Sequence, residues 1–145
     1  MKRSELFTKL EDSMNILGRK MYQHQVNMTD SSPAQNHILM IIGSYESIGI
    51  KHLSQLLYVT PGAITQHIGA LEKSGLVSRS VNPDNRREVN VEATLKGLET
   101  IKAIRHTKSK VLSNLFTPLD DQELQTLVSL IDKVSNQYTD RPKEG

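Results

Sequence analysis

Apolar residues recur along most of this chain at the three- and four-residue spacing of a helical stripe, and in one stretch the spacing changes to two. Leu6, Leu10, Met14, Leu17 and Met21 share one face of a first helix predicted from about Ser4 to Val26. Ser32, Pro33 and Gln35 combine an N-cap, a proline at the first helical position and a capping-box partner. A second helix therefore opens there and runs to about Tyr45, buried through Ile38, Leu39, Ile41 and Ile42. Beyond Gly49 a short helix carries Leu53, Leu56 and Leu57, Tyr58-Val59 turn the chain, and Thr60-Pro61 cap and start another helix. That helix, about Thr60 to Ser74, turns Ile64, Ile68 and Leu71 inward and ends on Gly75.

From Val77 the period is two. Val77, Arg79 and Val81 alternate with serines, Val89 and Val91 lie on a returning segment, and Asn82-Pro83-Asp84-Asn85-Arg86 supplies the turn chemistry of a hairpin with a basic tip. The helical period resumes at Thr94 with Leu95, Leu98, Ile101, Ile104, Val111, Leu112 and Leu115, and Pro118 stops it. Asp120 and Glu123 then form a capping box that opens a last helix with Leu127, Val128, Ile131 and Val134 on its apolar face. The expected fold class is mainly α: a winged helix-turn-helix with a two-stranded β-hairpin wing, flanked by N- and C-terminal helices.

Length and composition narrow this picture. The 145 residues fit one folded unit, 1–145, in which 33–93 form the winged lobe, 4–27 and 94–138 flank it, and 139–145 are a polar tail expected to fray. A formal charge of +2 is too small to attract nucleic acid by itself, so any such role rests on where Lys and Arg are placed. Without cysteine there is no disulfide framework and no thiol switch. Charged residues among Met1–Leu17 leave no signal-peptide core, and no segment has the length of a membrane span, so a cytoplasmic protein is expected. Asn27-Met28-Thr29 matches a glycosylation acceptor, which carries no weight in a cytoplasmic protein.

The helix from Thr60 has the residue types that groove reading requires. A helix enters the major groove only where its exposed half is small or hydrogen-bonding, and Gly62, Ala63, Thr65 and Gln66 meet that need. Thr60 and the free amides at the helix start suit a phosphate. The plainer explanation of Gly62, Ala63 and Gly69 is close helix packing. A basic hairpin beside the helix shifts the balance, because Arg86 at the tip can enter a narrow minor groove.

With these residues in place, the chain resembles the MarR (multiple antibiotic resistance regulator) family of winged helix-turn-helix transcription regulators. The resemblance runs from His52-Leu53-Ser54-Gln55-Leu56-Leu57 through Val59-Thr60-Pro61-Gly62-Ala63-Ile64-Thr65 and Leu71-Glu72-Lys73-Ser74-Gly75-Leu76-Val77 to Asp84-Asn85-Arg86 and Thr94-Leu95-Lys96-Gly97. It implies a homodimer that reads two adjacent half-sites of a pseudo-palindromic operator in double-stranded DNA, commonly as a repressor. It also implies that Gly62, Ala63, Thr65 and Gln66 face bases, that Thr60 and Lys73 meet phosphates, and that Asp84 orients Arg86, with Arg87 beside it. Tyr58 stands where the family often has Gly, Gly62 where it often has Ser, and Gln66 where a basic residue is frequent.

Periodicity separately asks for a partner. A helix of about 22 residues from Thr94 would be roughly 33 Å long, with more apolar face than the small lobe covers. Leu6, Leu10, Leu112, Leu115, Leu127, Ile131 and Val134 are the expected dimerisation residues, with packing inside one chain explaining part of each stripe. Family members are commonly released from DNA by a small, often aromatic anion. His24, His37, Tyr45, Arg105 and His106 are candidates to line such a pocket, but nothing in the sequence fixes a ligand site. Zinc sensing is weakened by the absence of cysteine, by Asn36 where zinc-sensing members have Glu, and by Lys110 where they have His, so no metal or cofactor is expected. No phosphate loop, nucleophile elbow or His-Glu-x-x-His motif supports an enzyme. A winged helix used for protein contacts without DNA stays open as an alternative, as does a zinc-responsive regulator of the same fold, since His37 and His106 resemble positions used by zinc-sensing members.

Overall fold

The computed structural model describes residues 1–25 and 31–138, apart from the side chains of Gln25 and Arg86. The predicted end of the first helix at Val26, the boundary at residue 27, the Asn27-Met28-Thr29 triplet and the tail 139–145 lie outside the described residues. In chain order the elements are α1 (Arg3–Gln25), α2 (Pro33–Gly43), β1 (Ile48–Gly49), α3 (Ile50–Leu57), α4 (Pro61–Lys73), β2 (Val77–Asn82), β3 (Asn85–Ala93), α5 (Leu95–Leu115) and α6 (Asp121–Ser135). This is the expected winged helix-turn-helix, with α3 and α4 as the helix pair and β2–β3 as the wing.

The predicted caps form. Ser32 Oγ accepts from the Gln35 amide at 3.2 Å while Gln35 Oε1 accepts from the Ser32 amide at 3.3 Å. Asp120 and Glu123 exchange the same pair of bonds at 2.8 and 2.9 Å. Two details differ from expectation. Helix α2 stops at Gly43, two residues before Tyr45, where Ser44 turns its amide and hydroxyl back onto Ile41 O. The sheet has three strands in the order β1-β3-β2, because Ile48 and Gly49 pair with Val91 and Asn90. A two-residue strand has no periodicity of its own to read.

The core is one cluster drawn from α2, β1, α3, α4, the base of the wing and the first half of α5, with Leu39, Ile42, Leu53, Ile68 and Val91 fully buried. The ends of α3 and of the reading helix α4 share one design, each closing on a residue in the left-handed conformation. At the end of α4 the Gly75 amide donates to Glu72 O and the Leu76 amide to Leu71 O, with Gly75 at φ 77°. At the end of α3 the Tyr58 amide donates to Gln55 O and the Val59 amide to Ser54 O, with Tyr58 at φ 54°. A left-handed conformation suits Gly and costs any other residue about 1–2 kcal/mol. Tyr58 carries that cost while 91% exposed.

Helix α5 is fastened to the far end of α4. Thr94 caps α5 by accepting from the Gly97 amide at 3.1 Å, and the same hydroxyl donates to Gly75 O at 2.6 Å. The Thr94 amide donates to Leu76 O at 3.0 Å, and Lys96 Nζ donates to Ser74 O at 2.8 Å. A methyl group on Gly97 would overlap the Leu76 carbonyl, so only glycine fits. Two substitutions should therefore move stability in opposite directions in urea unfolding. Gly97→Ala is expected to lower it by about 1–3 kcal/mol through overpacking, and Tyr58→Gly to raise it by roughly 1 kcal/mol by removing the strain.

Candidate nucleic-acid interface

Helix α4 presents its two sides as the sequence requires. Ile64, Ile68 and Leu71 are buried, while Gly62, Ala63, Thr65 and Gln66 are exposed on the N-terminal half. Thr60 Oγ1 caps the helix by accepting from the Ala63 amide at 3.3 Å, and Thr65 Oγ1 donates to Pro61 O at 2.8 Å. Both hydroxyls keep an acceptor lone pair, and Thr60 also keeps its proton for an outside partner. The packing explanation fails for Gly62: a Cβ added there would meet nothing within 4 Å, so no neighbour in this fold asks for its smallness. At Gly69 the nearest atom to such a Cβ is Arg79 Nη2 at 3.8 Å, an ordinary contact. Lys73 is exposed in the last turn, at the opposite end of the helix from Gly62.

The wing is tighter than its composition predicted. Asn82 pairs with Asn85 across Pro83-Asp84, so Asn85 and Arg86 belong to β3 and not to the loop. Between Val81 and Asn82 the register slips, and β3 runs from Val89 back to Asn85 against that single step of β2. Two side-chain amides hold the tip: Asn82 Oδ1 accepts from the Asp84 amide at 3.0 Å and Asn85 Oδ1 from the Arg87 amide at 3.2 Å. Asp84 and Arg87 are exposed there; the expected Asp84–Arg86 contact lies outside the described side chains. Arg87 also lines an open cleft of about 700 Å³ that it shares with Pro61 and Thr65 of α4. The folded chain thus brings the wing and the first turns of the reading helix to one surface.

The sequence profile of the MarR family matches residues 32–89, the stretch that runs from the cap of α2 into β3. Through this stretch the chain is similar to the MarR family of transcription regulators. It is 22% identical to the HTH-type transcriptional regulator YdgJ of Bacillus subtilis over 133 residues, covering 92% of this chain and 79% of that one. It is 28% identical to the HTH-type transcriptional regulator SarZ of Staphylococcus saprophyticus over 99 residues, 68% of this chain and 64% of that one. Its fold is similar to that of a mutant MarR from E. coli complexed with operator DNA, with a TM-score of 0.72, 24% identity, and coverage of 92% of this chain and 99% of that one.

Within the matched stretch one residue matters that periodicity had registered only as part of a strand. Arg79 of β2 sits opposite Val91 of β3 and reaches across to the reading helix, where its Nε lies 3.3 Å from Glu72 Oε2 and its Nη2 lies over Gly69. The wing and α4 are thereby tied by side chains as well as by the short connection at Gly75. An alternating pattern cannot show this, because it ranks a strand's faces without saying what stands above them.

The flanking helices leave their apolar stripes open. No residue of α6 is buried, and Ile131 and Val134 are 57% and 60% exposed. On α1, Leu6 and Leu10 are exposed together with Phe7 and Met14; on α5, Leu112 is exposed and Leu115 half-buried, as is Leu127 on α6. Of the residues named for an anion pocket, Arg105 lines a groove of about 430 Å³ with Gly43, Leu98 and Lys102, and His24, His37, Tyr45 and His106 do not. Tyr45 packs edge-on against His52. His37 and His106 are exposed, and among the described residues no three His, Asp or Glu side chains gather as a metal-binding group. No helix among the described residues is long and apolar enough to cross a membrane.

A double-mutant cycle on Glu72→Gln and Arg79→Gln tests the side-chain tie. With both partners a third or more exposed, solvent screening limits the expected coupling in urea unfolding to about 0.2–1 kcal/mol. A coupling of zero would mean that the ion pair adds nothing to the core packing and backbone that hold the wing.

Proposed function

We propose that this chain is a sequence-specific, DNA-binding transcription regulator that acts as a cytoplasmic homodimer and represses from a pseudo-palindromic operator. The observation that carries this reading is the exposed N-terminal half of α4. There the fold itself gives Gly62 no reason to be small, and Thr65 and Gln66 stand exposed beside a basic wing. Small residues let the helix backbone approach base edges, and Gln66 offers the two-bond contact suited to adenine. Arg86 of the wing reaches the adjoining minor groove with Arg87 beside it, while Thr60 and Lys73 meet phosphates near the two ends of the helix. The chain regulates and carries out no reaction of its own.

Dimerisation is supported by the open stripes. Leu6, Leu10, Ile131 and Val134 are each more than half exposed in the single chain, and apolar area of this kind is removed from water when two copies interlock. Each protomer is then one domain with a reading lobe at 33–93 and dimer helices at 4–27 and 94–138. The groove holding Lys102 and Arg105 lies where α2 meets α5, and there a small aromatic anion would bind and shift the lobe relative to the dimer helices.

Two measurements test this. Arg86→Ala is expected to weaken operator binding at least about tenfold, a loss in the range of one good base contact, with the thermal midpoint unchanged; equal affinity in a mobility shift would refute the wing's role. Sedimentation of the wild type is expected at twice the 16.3 kDa protomer mass, and Ile131→Asp at the single mass. A wild-type monomer would refute the dimer, and a winged helix that serves protein contacts alone would bind no duplex at any salt concentration.

A further inference from the structure

The reading helix and the wing do not meet flush. The cleft between them is walled by the first turns of α4, by the start of α3 and by β3, and holds Lys51, His52, Gln55 and Arg87, all exposed. None of the first three belongs to the reading helix or to the wing tip. Glu88 is the one acidic wall, and its carboxylate accepts from Asn82 Nδ2 at 3.1 Å, which ties that charge toward the turn. His52 is braced by the edge of Tyr45, with ring centroids 5.7 Å apart and planes at 75°.

We propose that this cleft seats the sugar-phosphate strand that divides the major groove from the neighbouring minor groove. Lys51 and Arg87 are its cationic walls, and His52 and Gln55 its hydrogen-bond donors. The inference rests on the DNA-binding reading above and adds a site to it. A helix in the major groove, about 12 Å wide, and a hairpin tip in the minor groove, about 6 Å wide, are separated by one backbone strand. That strand has to pass between the two elements, and the space between them here is this cleft. Its walls carry the chemistry a phosphate takes: two full positive charges, an imidazole and an amide, against one acid already engaged by Asn82. A strand held there fixes the depth of α4 and the reach of the wing together, so Lys51 sets register without reading sequence.

The test measures binding of the intact protein to its selected operator and to an unrelated duplex across a salt series. Lys51→Gln should lower affinity for both by the same factor, about threefold to tenfold. It should also reduce the slope of log K against log salt by about 0.9 for each protomer bound. Lys110→Gln, an equal charge change at an exposed position on α5, should leave the slope unchanged. Glu88→Gln should tighten binding to both duplexes. A wild-type slope retained by Lys51→Gln, or an equal drop for Lys110→Gln, would overturn the seat while leaving DNA binding intact. A wild type that binds neither duplex at low salt would overturn the DNA-binding reading itself, and the seat with it.

Discussion

The approach of α5 to the Leu76 carbonyl is the contact on which the rest of this molecule depends. Three backbone carbonyls at the end of the reading helix, those of Ser74, Gly75 and Leu76, would be left without partners by the turn that ends it. The start of α5 supplies them, through Lys96 Nζ, the Thr94 hydroxyl and the Thr94 amide, and the absence of a side chain at Gly97 lets the two segments close to that distance. One short joint therefore ends α4, roots β2 and aims the long helix. It also gives a physical reason for the Thr-x-x-Gly pattern, since Thr94 caps its own helix and bonds the preceding one with a single hydroxyl.

From this joint the two halves of the protein diverge in how they are stabilised. The lobe is closed on itself: Leu39, Ile42, Leu53, Ile64, Ile68 and Leu71 leave little surface to water. Beyond Ile104 the pattern reverses, and the second half of α5, all of α6 and most of α1 hold apolar residues in the open. A rigid reading lobe joined to helices that remain to be covered is the division of labour expected of a protomer in an assembly. The Thr94–Gly97 joint is where these helices meet the end of α4, and the Glu72–Arg79 pair links α4 to the wing.

Strain and exposure concentrate near the same surface. Tyr58 occupies the left-handed position between α3 and α4, although the equivalent position after α4 is held by Gly75. The wing tip is shaped by Asn82 and Asn85, whose side chains satisfy backbone amides locally and so do not depend on contacts elsewhere. Both the turn before α4 and the wing tip are therefore held by short-range hydrogen bonds at the surface.

Local chemistry alone was enough for the sequence to determine the helices, their caps, the hairpin and the exposed face of α4. Ser32 with Gln35, Thr60 with Pro61, and Asp120 with Glu123 act within a single turn, and helical or alternating periods are set by backbone geometry. The tertiary structure decided what depends on approach between distant segments. It paired Ile48 with Val91, freed Gly62 from any packing role and laid Arg79 over the reading helix. It also opened the cleft that brings Lys51 to Arg87. None of these leaves a local signature, because each is a distance between residues that the chain's own period does not relate.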